Sequence, residues 1–310
     1  MDKSASIYVA GGNNMIRDRF LALLRGKGYS NLANDRAGEP DVQNIARLTE
    51  YFDITSPEYV FVTGGKVGGI QANQQFPAEL MLDNLQVVCN LIQVSHIHNV
   101  KKLLYIASSC SYPKHAEQPM QPEMLMTGSL ETTNAAYATA NLAGIELVSA
   151  YRKQYNVNYV SVIPANVFGP GDKFDQDASH VIGALLAKFY QAQKSDIQSV
   201  EIWGSGTPRR EFIYLDDLVD ACIFVMNEYD GLPPLNIGTG QVMSIAEVAS
   251  KLKKITAYEG DLVYNTNKPD GMPEKVLDSS KLFAMGWTPK YRFDESVNIT
   301  YQWYTETLSN

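Results

Sequence analysis

Short apolar runs alternate with stretches whose apolar residues recur at helical spacing, and over residues 1–170 this rhythm is the tightest constraint on the fold. Ser6-Ile7-Tyr8-Val9-Ala10 has strand length and ends in Gly11-Gly12; Phe20, Leu21, Leu23 and Leu24 then follow a helical repeat. A second short strand is expected near Leu32, followed by Arg36 and a helix from about Asp41, a residue type suited to an N-cap. Tyr59-Val60-Phe61-Val62 reads as a buried strand leading into the glycine-rich stretch 64–69. Helical spacing returns over 77–96 and 137–155, with strands expected over 102–107 and 159–164. Strands separated by helices imply right-handed crossovers, so the chain is predicted to be α/β, with a doubly wound parallel sheet covered on both faces.

After Gly169-Pro170-Gly171-Asp172 the rhythm breaks into shorter strands, with turns at Gly204-Ser205-Gly206, Gly238-Thr239-Gly240 and Lys268-Pro269-Asp270-Gly271. The expectation is a Rossmann-like domain over 1–170, rejoined by about 212–227, and a smaller C-terminal α/β substrate lobe over 171–310. Asp216-Asp217 is expected to cap the helix that rejoins the sheet.

Composition narrows the function classes. With 45% hydrophobic and 19% charged residues, a chain of 310 residues can bury a sizeable core. No apolar run approaches the ~20 residues of a membrane span, and the N-terminus lacks the pattern of a secretion signal. Cys89, Cys110 and Cys222 show no metal-ligand spacing, and an odd count argues against a disulfide framework, so a reducing cytoplasm is expected. A net charge of −8 disfavours nucleic acid as a partner. His96 and His98, two apart on a predicted helix, face different ways and make a poor metal site; His115 reads as a loop residue.

The chemistry concentrates in 108–141. Ser108-Ser109-Cys110-Ser111-Tyr112-Pro113 follows a predicted strand, and Tyr137-Ala138-Thr139-Ala140-Asn141 opens a predicted helix. Residues four apart share a helix face, so Tyr137 and Asn141 are expected to look into one cavity. Taken alone, Cys110 could as well be a core thiol and Trp203 a core indole.

Collinear segments then resemble one family, the GDP-L-fucose synthases, which are extended short-chain dehydrogenases. They are Lys66-Val67-Gly68-Gly69-Ile70, Ser108-Ser109-Cys110 with Tyr112-Pro113-Lys114, Pro164 with Asn166 and Gly169-Pro170, and Ser179-His180-Val181-Ile182. Trp203-Gly204-Ser205-Gly206-Thr207-Pro208, Arg210-Glu211-Phe212 and Lys268-Pro269-Asp270-Gly271 complete the set. The resemblance implies epimerisation and then NADPH-dependent reduction of a GDP-linked 4-keto-6-deoxysugar. It implies Ser108 and Tyr137 as donors to the sugar C4 oxygen, and Cys110 and His180 as base and acid. It places Lys188, Trp203, Arg210 and Lys268 on the GDP-sugar, and Gly11, Asn14, Met15, Arg36, Asn141, Pro164 and Asn166 on NADP(H). It also implies a homodimer, or a mixed dimer with a paralogue, paired through the helices over 77–96 and 137–155.

Two departures from the family pattern fall on the cofactor side. Where the family has G-x-x-G-x-x-G, the chain reads Gly11-Gly12-Asn13-Asn14-Met15-Ile16-Arg17, so that side chains stand where backbone approaches a pyrophosphate and where helix packs on strand. Asn141 replaces the active-site lysine. A unit charge ~5 Å from the phenol at an effective dielectric of ~20 is worth about 3 kcal/mol, or roughly two pKa units. Without it, Tyr137 is expected to stay protonated near neutrality. Epimerisation beside a ketone needs no external hydride, so the expected activity is an epimerase with reduction lost or weakened. A working NADPH-dependent synthase and a non-catalytic sugar-nucleotide-binding partner are the alternatives. A base role for Cys110 requires a nearby positive charge, whose source the sequence does not reveal.

Overall fold

A computed structural model describes residues 1–11, 15–175, 179–268 and 270–308. The helices are α1 (Met15–Gly26), α2 (Ala33–Ala37), α3 (Ile45–Thr55), α4 (Ile70–Gln75), α5 (Pro77–Ile97), α6 (Ala135–Tyr155), α7 (Val181–Lys194), α8 (Leu215–Glu228), α9 (Ile245–Ile255), α10 (Ser280–Ala284) and α11 (Phe293–Thr307). The strands are β1 (Ile7–Ala10), β2 (Tyr59–Val62), β3 (Lys102–Ile106), β4 (Tyr159–Pro164), β5 (Asn166–Phe168), β6 (Ser199–Trp203), β7 (Arg209–Tyr214), β8 (Leu235–Ile237), β9 (Val242–Ser244), β10 (Asp261–Asn265) and β11 (Glu274–Lys275).

Five parallel strands form the main sheet in the order β1-β2-β3-β4-β8. The strands β1, β3, β4 and β8 are buried along their whole length, as a sheet covered on both faces requires. On one face Phe20 of α1 packs against Phe61 of β2 with ring centroids 4.8 Å apart, and truncating so enclosed a phenylalanine to alanine would cost about 3–5 kcal/mol. On the other face α5 and α6 run side by side.

The strand expected near Leu32 is reduced to a single bridge between Leu32 and Ile7. The cause is Asn34, whose side-chain amide accepts from Val9 N (3.0 Å) and donates to Val9 O (2.9 Å), doing for the outer edge of β1 what strand backbone would otherwise do. The helix expected from Asp41 starts later, at Ile45, because Asn44 is the residue that caps it, accepting from Ala46 N and Arg47 N.

The smaller lobe holds the parallel pair β10-β6 and the set β11-β7-β5, with β9 antiparallel to β7. Its core gathers Phe168, Leu186, Phe189, Phe212, Tyr214, Leu252 and Val297. The chain crosses between the two cores more than once, as the expected return over about 212–227 implies. Residues 213–237 return to the larger core through α8 and β8, and Leu277, Leu282 and Trp287 return to it again. Asp216 and Asp217 do not cap α8, which has no side-chain cap. Asp217 accepts from the backbone of Lys290 and Tyr291, and Asp216 pairs with Arg19 of α1, so both carboxylates tie α8 to distant chain. No helix among the described residues is long and apolar enough to cross a membrane.

Candidate active site

In an open α/β sheet the crevice lies beyond the carboxyl ends of the strands, at the point where chain direction switches. Here that point is between β1 and β2. Gly11 makes its turn there at φ 146°, a conformation that favours glycine, and Thr63 donates backbone and side-chain hydrogen bonds to Ala10 O. An inner cavity of about 260 Å³ is lined by Met15, Thr63, Gly64, Ile106, Ala107 and Pro164, among others. An outer cavity of about 420 Å³ reaches into the smaller lobe past Trp203, Arg210, Phe212 and Asp270. Both share Cys110, Asn134, Asn166, His180 and Lys275 in their walls.

Local structure delivers these groups. The end of β3 turns into a short 3-10 helix, Ser109–Ser111, and Ser108 caps it by accepting from Cys110 N at 3.2 Å, which fixes the thiol beside the hydroxyl. Tyr137 enters from the first turns of α6, and Asn141 lies four residues on, as the spacing implied. Burial pushes the Tyr137 phenol up, Cys110 adds to the rise, and the Ser108 and Asn141 side chains offset part of it; the outcome is a pKa of about 12. His180 heads α7 from the opposite lobe. Water reaches its ring, yet enclosure between the lobes, and then the ammonium groups of Lys275 and Lys173, hold its pKa below the ordinary histidine value.

Two groups that sequence reasoning missed complete the cluster. Asn134 Nδ2 donates to Cys110 Sγ at 3.2 Å, and Lys275 Nζ does so at 3.5 Å. Asn134 lies 24 residues from the thiol and Lys275 lies 165, and no local spacing connects either to it.

The residues assigned to NADP(H) are only partly assembled. Met15 and Pro164 line the inner cavity, and Asn166, which lines both cavities, donates to Glu211 O at 2.8 Å. Asn14 lies outside the described residues, as do Gly12 and Asn13. Arg36 departs from its expected place. Its guanidinium donates to Ser6 Oγ and Thr55 O, both at 2.6 Å, at the entry of β1 and therefore at the end of the sheet away from the crevice. Arg17 pairs with Asp18 (2.9 Å) and Glu39 (3.4 Å). Asn141 is buried in the wall of the inner cavity, where its side chain acts on the Tyr137 phenol; Nδ2 also donates to Tyr137 O at 2.9 Å, and Oδ1 accepts from Tyr105 at 3.3 Å.

On the substrate side, Trp203 is 40% exposed, so the core alternative fails for it. The ammonium groups of Lys268 and Lys188 stand 4.7 and 5.3 Å from its ring centroid. Lys188 also donates to Glu201 O, so it faces the site through the indole rather than directly. Arg210 lines the outer cavity. Pro269 lies outside the described residues, but its neighbour Asp270 accepts from Ser205 N (2.7 Å) and Ser205 Oγ (2.8 Å), clamping the turn that presents Trp203. Gly204 is required in that turn: its φ is +81°, and a Cβ there would lie 2.2 Å from Asp270 Oδ1. His96 stacks on Tyr155 and His98 pairs with Asp53; the described residues contain no group of three His, Cys, Asp or Glu side chains that could hold a metal ion.

Residues 7–238 match the NAD dependent epimerase/dehydratase family. The chain is 42% identical to GDP-L-fucose synthase 1 of Arabidopsis thaliana over 309 residues, covering 100% of this chain and 96% of that one. It superposes with a TM-score of 0.90 on a GDP-6-OMe-4-keto-L-xylo-heptose reductase from C. jejuni, at 32% identity and 99% coverage of both chains. A GDP-mannoheptose C4 reductase from Campylobacter jejuni with NADP bound gives a TM-score of 0.87 at 33% identity, covering 98% of this chain and 99% of that one.

Proposed function

Because the chain belongs to the NAD dependent epimerase/dehydratase family and is GDP-L-fucose synthase-like, we propose that it epimerises a GDP-linked 4-keto-6-deoxyhexose, or a closely related 4-ketosugar, with its hydride-transfer half lost or weakened. One observation carries this reading. The thiol of Cys110 and the imidazole of His180 come from different lobes to the common wall of both cavities, whereas Asn141, in the lysine position, lines the inner cavity without bringing a charge to it.

The chemistry follows from those positions. A Cys110 thiolate takes the proton from the carbon beside the ketone, forming an S–H bond while the C–H electron pair moves onto the C4 oxygen as an enolate. His180, in its protonated form, returns a proton to the opposite face, and exchange with solvent resets both groups. Ser108 and Tyr137 donate to the enolate oxygen. A phenol with a pKa of about 12 keeps its proton for that purpose. Since the pKa of His180 is lowered, the imidazolium is its minority form at neutral pH, and the return step draws on that minority.

NADP(H), when bound, would supply the hydride for reduction at C4. Arg36 and Arg17 do not fit the family's grip on that group, since each is engaged elsewhere in the protein, and Asn141, which lines the inner cavity, has no charge to offer it. An NADPH-dependent epimerase–reductase is the second reading, favoured by the open inner cavity and the retained turn at Gly11. Pairing through α5 and α6 is part of the same proposal; Leu82, Ile97 and Tyr155 leave apolar surface exposed on those helices.

Incubation of the ketosugar nucleotide in deuterated water without NADPH tests the reading. Deuterium should enter C3 or C5, and Cys110→Ser or His180→Gln should slow its entry by about 100-fold or more. No incorporation at high enzyme concentration would end the proposal. Incorporation accompanied by brisk substrate-dependent NADPH oxidation would favour the second reading.

A further inference from the structure

We propose that Lys275 is the counter-ion of Cys110, a positioning residue whose ammonium holds the sulfur as the thiolate that proton abstraction requires. The strand β11 brings it there. Lys275 pairs with Arg210 across β11 and β7, and successive strand residues point to opposite sides. Glu274 therefore turns away toward Arg209 (3.6 Å), leaving Lys275 to face the cleft. Its Nζ lies 3.5 Å from Cys110 Sγ, and among the described residues it makes no ion pair with a carboxylate. Asn134 Nδ2 reaches the same sulfur at 3.2 Å, so two N–H donors, one of them charged, converge on it. That arrangement suits an anionic acceptor better than a neutral thiol.

The other titratable or charged groups of these walls are His180 at the head of α7, Tyr137 on α6, Glu131 before α6, and Tyr112, Arg210 and Asp270 in the outer cavity, with Lys173 acting on His180 from outside them. The two carboxylates are already held, Glu131 by Lys114 at 3.1 Å and Asp270 by Ser205. The ammonium that attracts a thiolate also opposes an imidazolium, so one residue acts on both members of the proton-transfer pair in opposite senses. The base role of the thiolate rests on the function proposed above, whereas the ion pair does not.

The test needs no substrate. Alkylation of the full chain by iodoacetamide is followed against pH and read residue by residue from peptide masses, in wild type, Lys275→Met and Lys275→Arg. Added N-acetylcysteine serves as the reagent reference, and Cys222, which is buried, reports an intact fold. In Lys275→Met the pH midpoint of Cys110 labelling should rise by about one unit or more, with the reference unmoved, and Lys275→Arg should restore most of the difference. Superimposable Cys110 profiles in wild type and Lys275→Met, with Cys222 still protected, would overturn the proposal. If Cys222 becomes labelled in the Met variant, Lys275→Gln is judged by the same criterion. Deuterium wash-in measured in parallel separates the two ideas. A midpoint shift without wash-in defeats only the proposed function, and wash-in without a shift defeats only the counter-ion.

Discussion

The side-chain oxygen of Asn141 accepts a hydrogen bond from the hydroxyl of Tyr105 at 3.3 Å, with both residues buried beneath the cleft. The ring of Tyr105 lies against Gly144, one helical turn from Asn141, where an added Cβ would sit 2.6 Å from the ring. Asn141 is thus one member of a packed group that spans β3 and α6, and its surroundings match it. Burial keeps the Tyr105 phenol neutral, so the pair is an uncharged hydrogen bond in a place where a family lysine would bring charge.

Restoring the family residue should therefore be costly. Asn141→Lys removes the partner of a buried hydroxyl, and the expected loss is about 1–3 kcal/mol of stability in denaturant unfolding. Asn141→Lys with Tyr105→Phe should recover part of that loss, because no orphaned hydroxyl remains. Additive losses in the two single and one double variants would show that the pair is not coupled.

Tyr137 holds its proton across the accessible pH range, since its pKa is raised to about 12. Its contribution as a donor is then constant with pH. The ratio of deuterium wash-in rates between wild type and Tyr137→Phe should stay flat from about pH 6 to 9, at about 10-fold or more. A ratio that collapses toward the alkaline end of that range would mean that the phenol ionises there.

Arg36 stands at the entry of β1, bonded to Ser6 and Thr55. Arg36→Gln should lower stability by about 1 kcal/mol by thermal unfolding, and it should leave the ratio of NADPH to NADH affinity unchanged. A selective loss of NADPH affinity would place its guanidinium at the 2′-phosphate after all.

Trp203 offers an exposed indole face with Lys188 and Lys268 beside it. Under the proposed function, this aromatic surface and its two charges receive the nucleotide. Trp203→Ala should weaken GDP binding by about 1–3 kcal/mol in calorimetry, the range found for stacking on a base. Lys268→Met should lower it less and in a salt-dependent manner. Unchanged GDP affinity in both variants would move the nucleotide elsewhere.

The parallel sheet was legible because its strands are buried on both faces and its helices bury one. Those two periodicities are written into the order of apolar residues from Ile7 to Pro164. The sharing of a face by Tyr137 and Asn141 was legible for the same reason, being a matter of local helical spacing. Leu32 shows where that kind of reading stops. Its surroundings favoured a strand, but the side chain of Asn34 took over the edge of β1 through hydrogen bonds that have no periodicity. Asp216 and Asp217 are similar, for a carboxylate before a helix reads as a cap until a chain segment more than 70 residues later brings it other partners.

By itself the sequence determined the α/β architecture and the set of hydroxyl, thiol and phenol groups at the end of β3 and the start of α6, because each depends on neighbours within a few turns of chain. Only the tertiary structure decided what surrounds them. It set Lys275 and Asn134 against Cys110, turned Asn141 toward Tyr105, and drew Arg36 away to the far end of the sheet. The physical reason is that charge and hydrogen bonding act through distance in space, and crossovers bring together residues that lie far apart along the chain.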